Sequence, residues 1–266
     1  DDDDLPVTTN KQMYYQGRVL WLYSYLYNHF GKDTYHLEAA KNGYDFLVRY
    51  CVDDNCDWYT EVTRDGRPVV KFFDIYATIF TILGLGEYYR ATGNMQALDL
   101  AVRSTYRVTE IVVSPHYQGQ GHGPWYEPGT KRLGTWLHLL SVVTPLLRYA
   151  PDPGIEKIAK MCVRNILDYH WQAKRGFAFE TLRSDFTPYP DDFLGDTEER
   201  GYQNQARWVN NFHTMEAAWM IMDEALRVGN REMFTAGMDF GRSHLEKYWV
   251  VRGEDQGIVQ IGRAHV

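Results

Sequence analysis

Near residue 212 the sequence reads Asn210-Asn-Phe-His-Thr-Met-Glu-Ala-Ala-Trp219, with His213 and Glu216 three residues apart in a helical pattern. That spacing puts both side chains on one helix face. A carboxylate beside an imidazole can fix its tautomer, and a helix N-terminus disfavours the charged ring, so His213 with Glu216 reads as a general base and its orienting partner. Three further polar residues stand at the starts or on the faces of apolar helical segments. Arg18 lies in Gln16-Gly-Arg18-Val-Leu-Trp21, Tyr76 follows Lys71 and Asp74, and His138 is embedded in Trp136-Leu-His-Leu-Leu140. Each also has a plainer reading. Arg18 can serve a structural ion pair, His138 can be a hydrogen-bonded core histidine, and Glu216 can answer the helix dipole.

Other chemistries find no support. The chain has no phosphate loop, no GxSxG elbow and no HExxH helix, and Gly119, Gly121 and Gly123 lack the Lys-Ser/Thr that a nucleotide cradle needs. Cys51, Cys56 and Cys162 are odd in number and have no zinc-type spacing, so neither a disulfide framework nor a metal site is expected. The net charge is −7, four of the acids being Asp1 to Asp4, which excludes a basic nucleic-acid footprint. The longest uncharged apolar run, around residues 75–86, is too short to span a bilayer. What stands out is an aromatic content of 15%, with 20 Tyr and 8 Trp. Such rings suit a polar cavity, where they stack on ligands while their polar ends stay hydrogen-bonded, and they equally fill helical cores.

The elements that must position these residues are helices in pairs. Apolar spacing predicts helices over 11–30, 33–51, 75–89 and 94–113, then 133–149 with Pro145 as a kink, 155–170, 211–228 and 230–249. Asp74 is expected to open the third. Asp65-Gly66 signals a hairpin within 57–71, residues 176–185 a second short hairpin arm, and 114–131 and 187–207 long loops. Arg90-Ala-Thr-Gly-Asn94 and Arg227-Val-Gly-Asn230 rhyme, each a glycine stop followed by an asparagine cap. Odd helices begin roughly sixty to eighty residues apart, a repeat that suggests a toroid of α-hairpins rather than an open solenoid. The expected class is therefore all-α: an incomplete (α/α)6 barrel of about eight of twelve helices with short β-hairpin arms.

The domain expectation is an acidic, disordered leader over 1–10, a partial barrel over 11–260, and a non-native tail over 261–266. Ile261-Gly-Arg-Ala-His-Val266 spells one reading frame of a sequencing adapter. A chain that stops there would leave the flank of Trp219, Met220, Met222 and Phe240 without its next neighbour.

The ordered motifs resemble the N-acylglucosamine 2-epimerase superfamily, which includes cellobiose 2-epimerases and mannose-type aldose–ketose isomerases. The resemblance rests on Gln16-Gly-Arg18-Val-Leu-Trp21, Lys71-Phe-Phe-Asp-Ile-Tyr76-Ala-Thr-Ile-Phe80, Trp136-Leu-His138-Leu-Leu-Ser141 and Asn211-Phe-His213-Thr-Met-Glu216-Ala-Ala-Trp219. It implies an (α/α)6 barrel and proton abstraction beside the carbonyl of an opened sugar, without metal or nicotinamide cofactor. It implies His213 as acid/base, Glu216 as its orienting partner, and Arg18 stabilising charge on substrate oxygens. His138 and Tyr76 would bind sugar hydroxyls or assist protonation, with Asn210 and Trp219 joining the sugar-binding set. A second catalytic histidine of the family falls beyond this chain. Ser141 replaces a family Glu and Phe212 a family Gly, which puts the sugar's identity in doubt more than the reaction class. The implied partner is a small sugar, with no nucleic acid or membrane, in a cytoplasmic protein that is a homodimer when full length. Two rival readings stay open: a glycoside or unsaturated-uronyl hydrolase using a carboxylate pair such as Asp191 and Asp192, and a non-catalytic carbohydrate-binding toroid.

Overall fold

The structure, a computed structural model, describes residues 8–71, 75–118, 127–190, 209–252 and 255–258. Asp1 to Asp4, Asp74, Gly119, Gly121, Gly123, Asp191, Asp192 and the hexapeptide 261–266 lie outside the described residues. The chain forms two compact units, residues 1–111 and 112–266.

The first unit holds α1 (Met13–His29), α2 (Thr34–Tyr50), α3 (Ile75–Thr92) and all but the last two residues of α4 (Met95–Val113). Their ends follow the chemistry anticipated. The Asp33 carboxylate accepts from Tyr35 N at 2.9 Å, and Asn94 Oδ1 accepts from Ala97 N at 3.1 Å. Between them Gly93 takes φ +70°, the left-handed turn that ends α3. Nearly every residue of α3 from Ile75 to Tyr88 is buried, the mark of a helix enclosed on all sides. By contrast α2 buries one stripe, Ala40, Tyr44 and Leu47. The closest approach is between α1 and α3. A Cβ on Gly17 would sit 2.5 Å from the Phe80 carbonyl, and one on Gly84 would sit 2.5 Å from Gly17 O. Glycine at both positions lets the two backbones touch. The Asp65-Gly66 hairpin forms between β2 (Glu61–Val62) and β3 (Pro68–Val70), and β1 (Lys11–Gln12), unanticipated, adds a third antiparallel strand.

In the second unit α5 (Leu133–Tyr149) is buried almost throughout and runs unbroken past Pro145. Asp152 caps α6 (Pro153–Arg164) through Gly154 N and Ile155 N, with Pro153 in the first turn, where its missing N–H is harmless. The end of this helix departs from expectation, because residues 165–170 form a π-helical turn that closes on His170. The expected arm at 176–185 is also built differently. β5 (Trp171–Gln172) pairs with β6 (Phe177–Ala178), whereas β7 (Thr181–Leu182) crosses to β4 (Lys131–Arg132), just ahead of α5. α7 (Asn211–Val228) ends at Gly229, φ +68°, and Asn230 caps α8 (Arg231–Tyr248) through Met233 N. A further hairpin, β8 (Trp249–Arg252) with β9 (Asp255–Ile258), follows.

The same polar device recurs in both units. In α3 the buried Glu87 pairs with Arg90 and accepts from Asn28 of α1 at 2.6 Å. In α7 the buried Glu224 pairs with Arg227 and accepts from Thr144 of α5 at 2.9 Å, while Arg227 also grips Glu156 of α6. Within each unit the two odd helices are thus tied by a carboxylate that a same-helix arginine neutralises. Of the apolar flank expected to stand open on α7 and α8, Met220 and Phe240 are buried and Trp219 is 52% exposed. No helix among the described residues is long and apolar enough to cross a membrane.

Candidate active site

The second unit gathers four histidines, two glutamates and an arginine around the start of α7. Asn210 is the N-cap, its side-chain oxygen accepting from Phe212 N and His213 N, so His213 is fixed in the first helical turn. Its ring is not oriented by Glu216. His213 Nδ1 lies 3.0 and 2.9 Å from the two carboxylate oxygens of Glu180, in the link between β6 and β7. A carboxylate can only accept here, so Nδ1 carries the hydrogen and Nε2 is the basic nitrogen of the neutral ring. Glu216 acts on His213 through its field alone. The i,i+3 spacing does place it nearby, but the arm delivers a carboxylate directly onto Nδ1, and that geometry decides the tautomer.

Glu180 is fully buried, and three consecutive residues of the arm are clamped to keep it there. Ala178 N donates to His244 Nε2 of α8 at 2.9 Å. Phe179 O accepts from His170 Nδ1 at 2.7 Å, and Glu180 O accepts from Leu133 N at 2.8 Å. Phe177 packs with Val209 and Tyr248, which bracket the start of α7 and the end of α8. The π-helical turn and α8 therefore build the floor under the carboxylate. Burial pushes His170 and His244 each down to about 4, so both clamps work as neutral imidazoles.

His138 sits one turn into α5, its Nδ1 2.6 Å from Gly134 O. A carbonyl only accepts, so this ring too carries hydrogen on Nδ1. The His138 and His213 rings meet edge to face with centroids 5.7 Å apart. Arg132, the last residue before α5, reaches to 3.9 Å from Glu180 Oε1. Burial opposes ionisation of Glu180, yet His213 and Arg132 hold its carboxyl below the usual range. Burial likewise depresses His213, but the Glu180 charge and hydrogen bond, with Glu216 behind them, lift it above the ordinary imidazole value, and Arg132 pulls the other way. Chemically this is a base with an oriented, charge-supported imidazole, a second imidazole at ring-contact distance, and a cation alongside.

The remaining sequence-predicted residues fall elsewhere. Asn210 has its side-chain oxygen engaged by the helix backbone, so the structure gives it a capping role. Trp219 lies about a third of a turn away from His213, on an exposed stripe of α7 with Phe212 and Leu226. In the first unit, the close α1–α3 approach puts the Arg18 guanidinium over the rings of Tyr14 and Phe80, at 4.0 and 3.5 Å from their centroids. Tyr76 stacks on the same Phe80 at 6.5 Å. Arg18 and Tyr76 thus meet in one aromatic cluster, and no ion pair of Arg18 occurs among the described residues. Glu180, Arg132, His170 and His244 were not singled out in the sequence. The available signal was an acid inside the strand-like apolar run Phe177-Ala-Phe-Glu-Thr-Leu182, since an acid in such a run demands a partner. Among the described residues, no group of three or more His, Cys, Asp and Glu side chains is arranged to hold a metal ion.

The family model described as N-acylglucosamine 2-epimerase (GlcNAc 2-epimerase) matches residues 1–261. The chain belongs to this family. Among curated family relatives, a cellobiose 2-epimerase of Dictyoglomus turgidum is 27% identical over 224 residues, covering 79% of this chain and 53% of that protein. The N-acylglucosamine 2-epimerase of Homo sapiens is 28% identical over 239 residues, covering 84% of this chain and 51% of that protein. The chain thus spans about half the length of these curated relatives. The solved structure of cellobiose 2-epimerase from Bacillus thermoamylovorans B4167 superposes with a TM-score of 0.75 at 22% identity, over 94% of this chain and 64% of that one. At that identity the likeness shows the fold: helical hairpins of the α/α-toroid class, with short strand arms.

Proposed function

We propose that the protein containing this chain is a sugar epimerase or isomerase that takes a proton from the carbon next to the carbonyl of an opened aldose and returns it. One observation carries the reading: an imidazole, His213, whose Nδ1 is held by a buried carboxylate, Glu180, so that Nε2 is the base. The carbonyl makes the C2 hydrogen acidic. Nε2 of His213 takes that proton, the electron pair moves onto the carbonyl oxygen, and Glu180 supports the imidazolium that results. Return of a proton to the opposite face of C2 inverts the centre, and its return to C1 completes an aldose–ketose isomerisation. His138, in ring contact with His213, binds a sugar hydroxyl or relays a proton. Arg18 stabilises the developing oxyanion and Tyr76 binds a hydroxyl. Proton transfer of this kind needs side chains alone.

The substrate class is an N-acylhexosamine, a hexose or a β-1,4-linked disaccharide, in keeping with what the relatives' names say of those proteins. Three free buried cysteines fit a reducing, cytoplasmic setting, and a homodimer is the expected assembly of the whole protein. The reading is tested by incubating the protein with cellobiose, N-acetylmannosamine and mannose in D2O and following loss of the C2 proton signal. Exchange with one of the sugars, abolished by His213→Ala, is the expected result. No exchange with any of them overturns it.

A further inference from the structure

Arg132 stands on β4 opposite Thr181, so the β4–β7 ladder delivers it to the arm that carries Glu180. Its side chain is 13% exposed, and Glu180, 3.9 Å from Nη2, is its ion-pair partner. Its Nε is buried and, among the described residues, meets no hydrogen-bond acceptor. A guanidinium buried this far with so little hydrogen bonding is costly, and a scaffold role would be filled more cheaply by a neutral side chain. Its position instead gives the Glu180 carboxylate two cationic neighbours, one permanent and one conditional on protonation.

We propose that Arg132 is a positioning residue of the site, which shares the buried Glu180 carboxylate with His213 and thereby keeps the His213 ring available as a base. The proposal rests on the reading of His213 as the proton acceptor. A fully buried carboxylate hydrogen-bonded to an imidazole, with no other cation, would hold a proton on that imidazole and leave it unable to accept another. A guanidinium on the same carboxylate stabilises its charge without that proton. The groups facing His213 are Glu180 from the arm, Glu216 from its own helix, Arg132 from β4 and His138 from α5. His170 faces Glu180 from the π-helical turn. Of these, Glu180 and Glu216 favour the protonated ring and Arg132 disfavours it.

The test is an NMR titration of the His213 ring in the labelled, unliganded protein, run beside the C2-exchange assay. Arg132→Gln is expected to raise the His213 midpoint by about one pH unit. Below both midpoints it should slow C2 exchange about tenfold, with recovery at higher pH and little change in KM. Glu180→Gln should move the midpoint down. Arg132→Lys, which keeps the charge, should hold the midpoint near that of the parent protein. An unchanged or lowered midpoint in folded Arg132→Gln overturns the proposal, as does a rise in Arg132→Lys as large as in Arg132→Gln. Should Arg132→Gln fail to fold, Arg132→Met and Arg132→Lys carry the same comparison. Absence of C2 exchange in the parent protein would overturn the reaction class, and the His213 titration would still judge Arg132.

Discussion

Glu180 and His213 are 33 residues apart in sequence, on a strand link and a helix, yet both oxygens of the one lie within 3.0 Å of Nδ1 of the other. The contact is made where a fully buried acid meets the first turn of α7, and it makes Glu180, not Glu216, the residue that sets which nitrogen of His213 can act.

Exchanging the two acids one at a time separates their roles. Glu180→Gln keeps the shape but removes the charge and permits the wrong tautomer, so C2 exchange should fall on the order of a hundredfold or more. Glu216→Gln removes only a field and should cost clearly less. Rates measured side by side at one pH decide it. A larger loss in Glu216→Gln would return the orienting role to α7.

Acid should weaken the second unit through its clamps. His170 and His244 have folded pKa values of about 4 against an ordinary 6.5, because burial disfavours the charged ring. Their contribution is therefore full above pH 6.5, shrinks as pH falls, and is gone once pH passes below about 4, on the order of 3 kcal/mol each at most. Urea unfolding from pH 7.5 to 4.5 should show stability dropping with acid, and His244→Gln, which no longer titrates, should flatten that slope. A slope unaltered in His244→Gln would place the acid sensitivity elsewhere.

The Glu224–Arg227 pair offers a test of buried charge. Arg227→Met strands a carboxylate that is 2% exposed and should destabilise by about 3–5 kcal/mol. Adding Glu224→Gln should recover much of that, since the amide can still meet Thr144 without a charge to neutralise. Denaturation midpoints of the single and double variants give the coupling directly.

Asn210→Ala should cost about 1 kcal/mol of stability through lost capping. It should also reduce C2 exchange with little change in KM, because the capped turn holds His213 in place. A rise in KM alone would support the sugar-binding role read from the sequence.

Long periodic segments were legible in the sequence because their physics is local. The helix starts at Asp33 and Asn94, the Gly229-Asn230 junction and the Asp65-Gly66 turn are each set by one side chain or one backbone angle within a few residues. The two-residue strands β1, β4 and β7 are too short to show a period, and their pairing is decided by tertiary contact. Hence the arm's crossing to β4 was missed, and with it Glu180 and Arg132. His213, His138 and Arg18 could be picked out as polar residues on apolar faces. What each one touches could not, because the partners come from other elements. The capping role of Asn210 is again local, its side-chain oxygen accepting from Phe212 N and His213 N in the helix it starts.

Because the orienting acid of His213 arrives on the separate link between two strands, the motif on α7 is portable while the chemistry is not. Residues 210–219 grafted onto another helical hairpin would bring a capped helix and a histidine of ordinary basicity. Without an arm pinned at three successive residues, that histidine would titrate like a surface side chain and sample both tautomers. An engineer moving this activity would have to transplant the small β4–β7 ladder and its two neutral histidine clamps together with the helix, and a motif search confined to α7 would collect proteins that share the letters but lack the base.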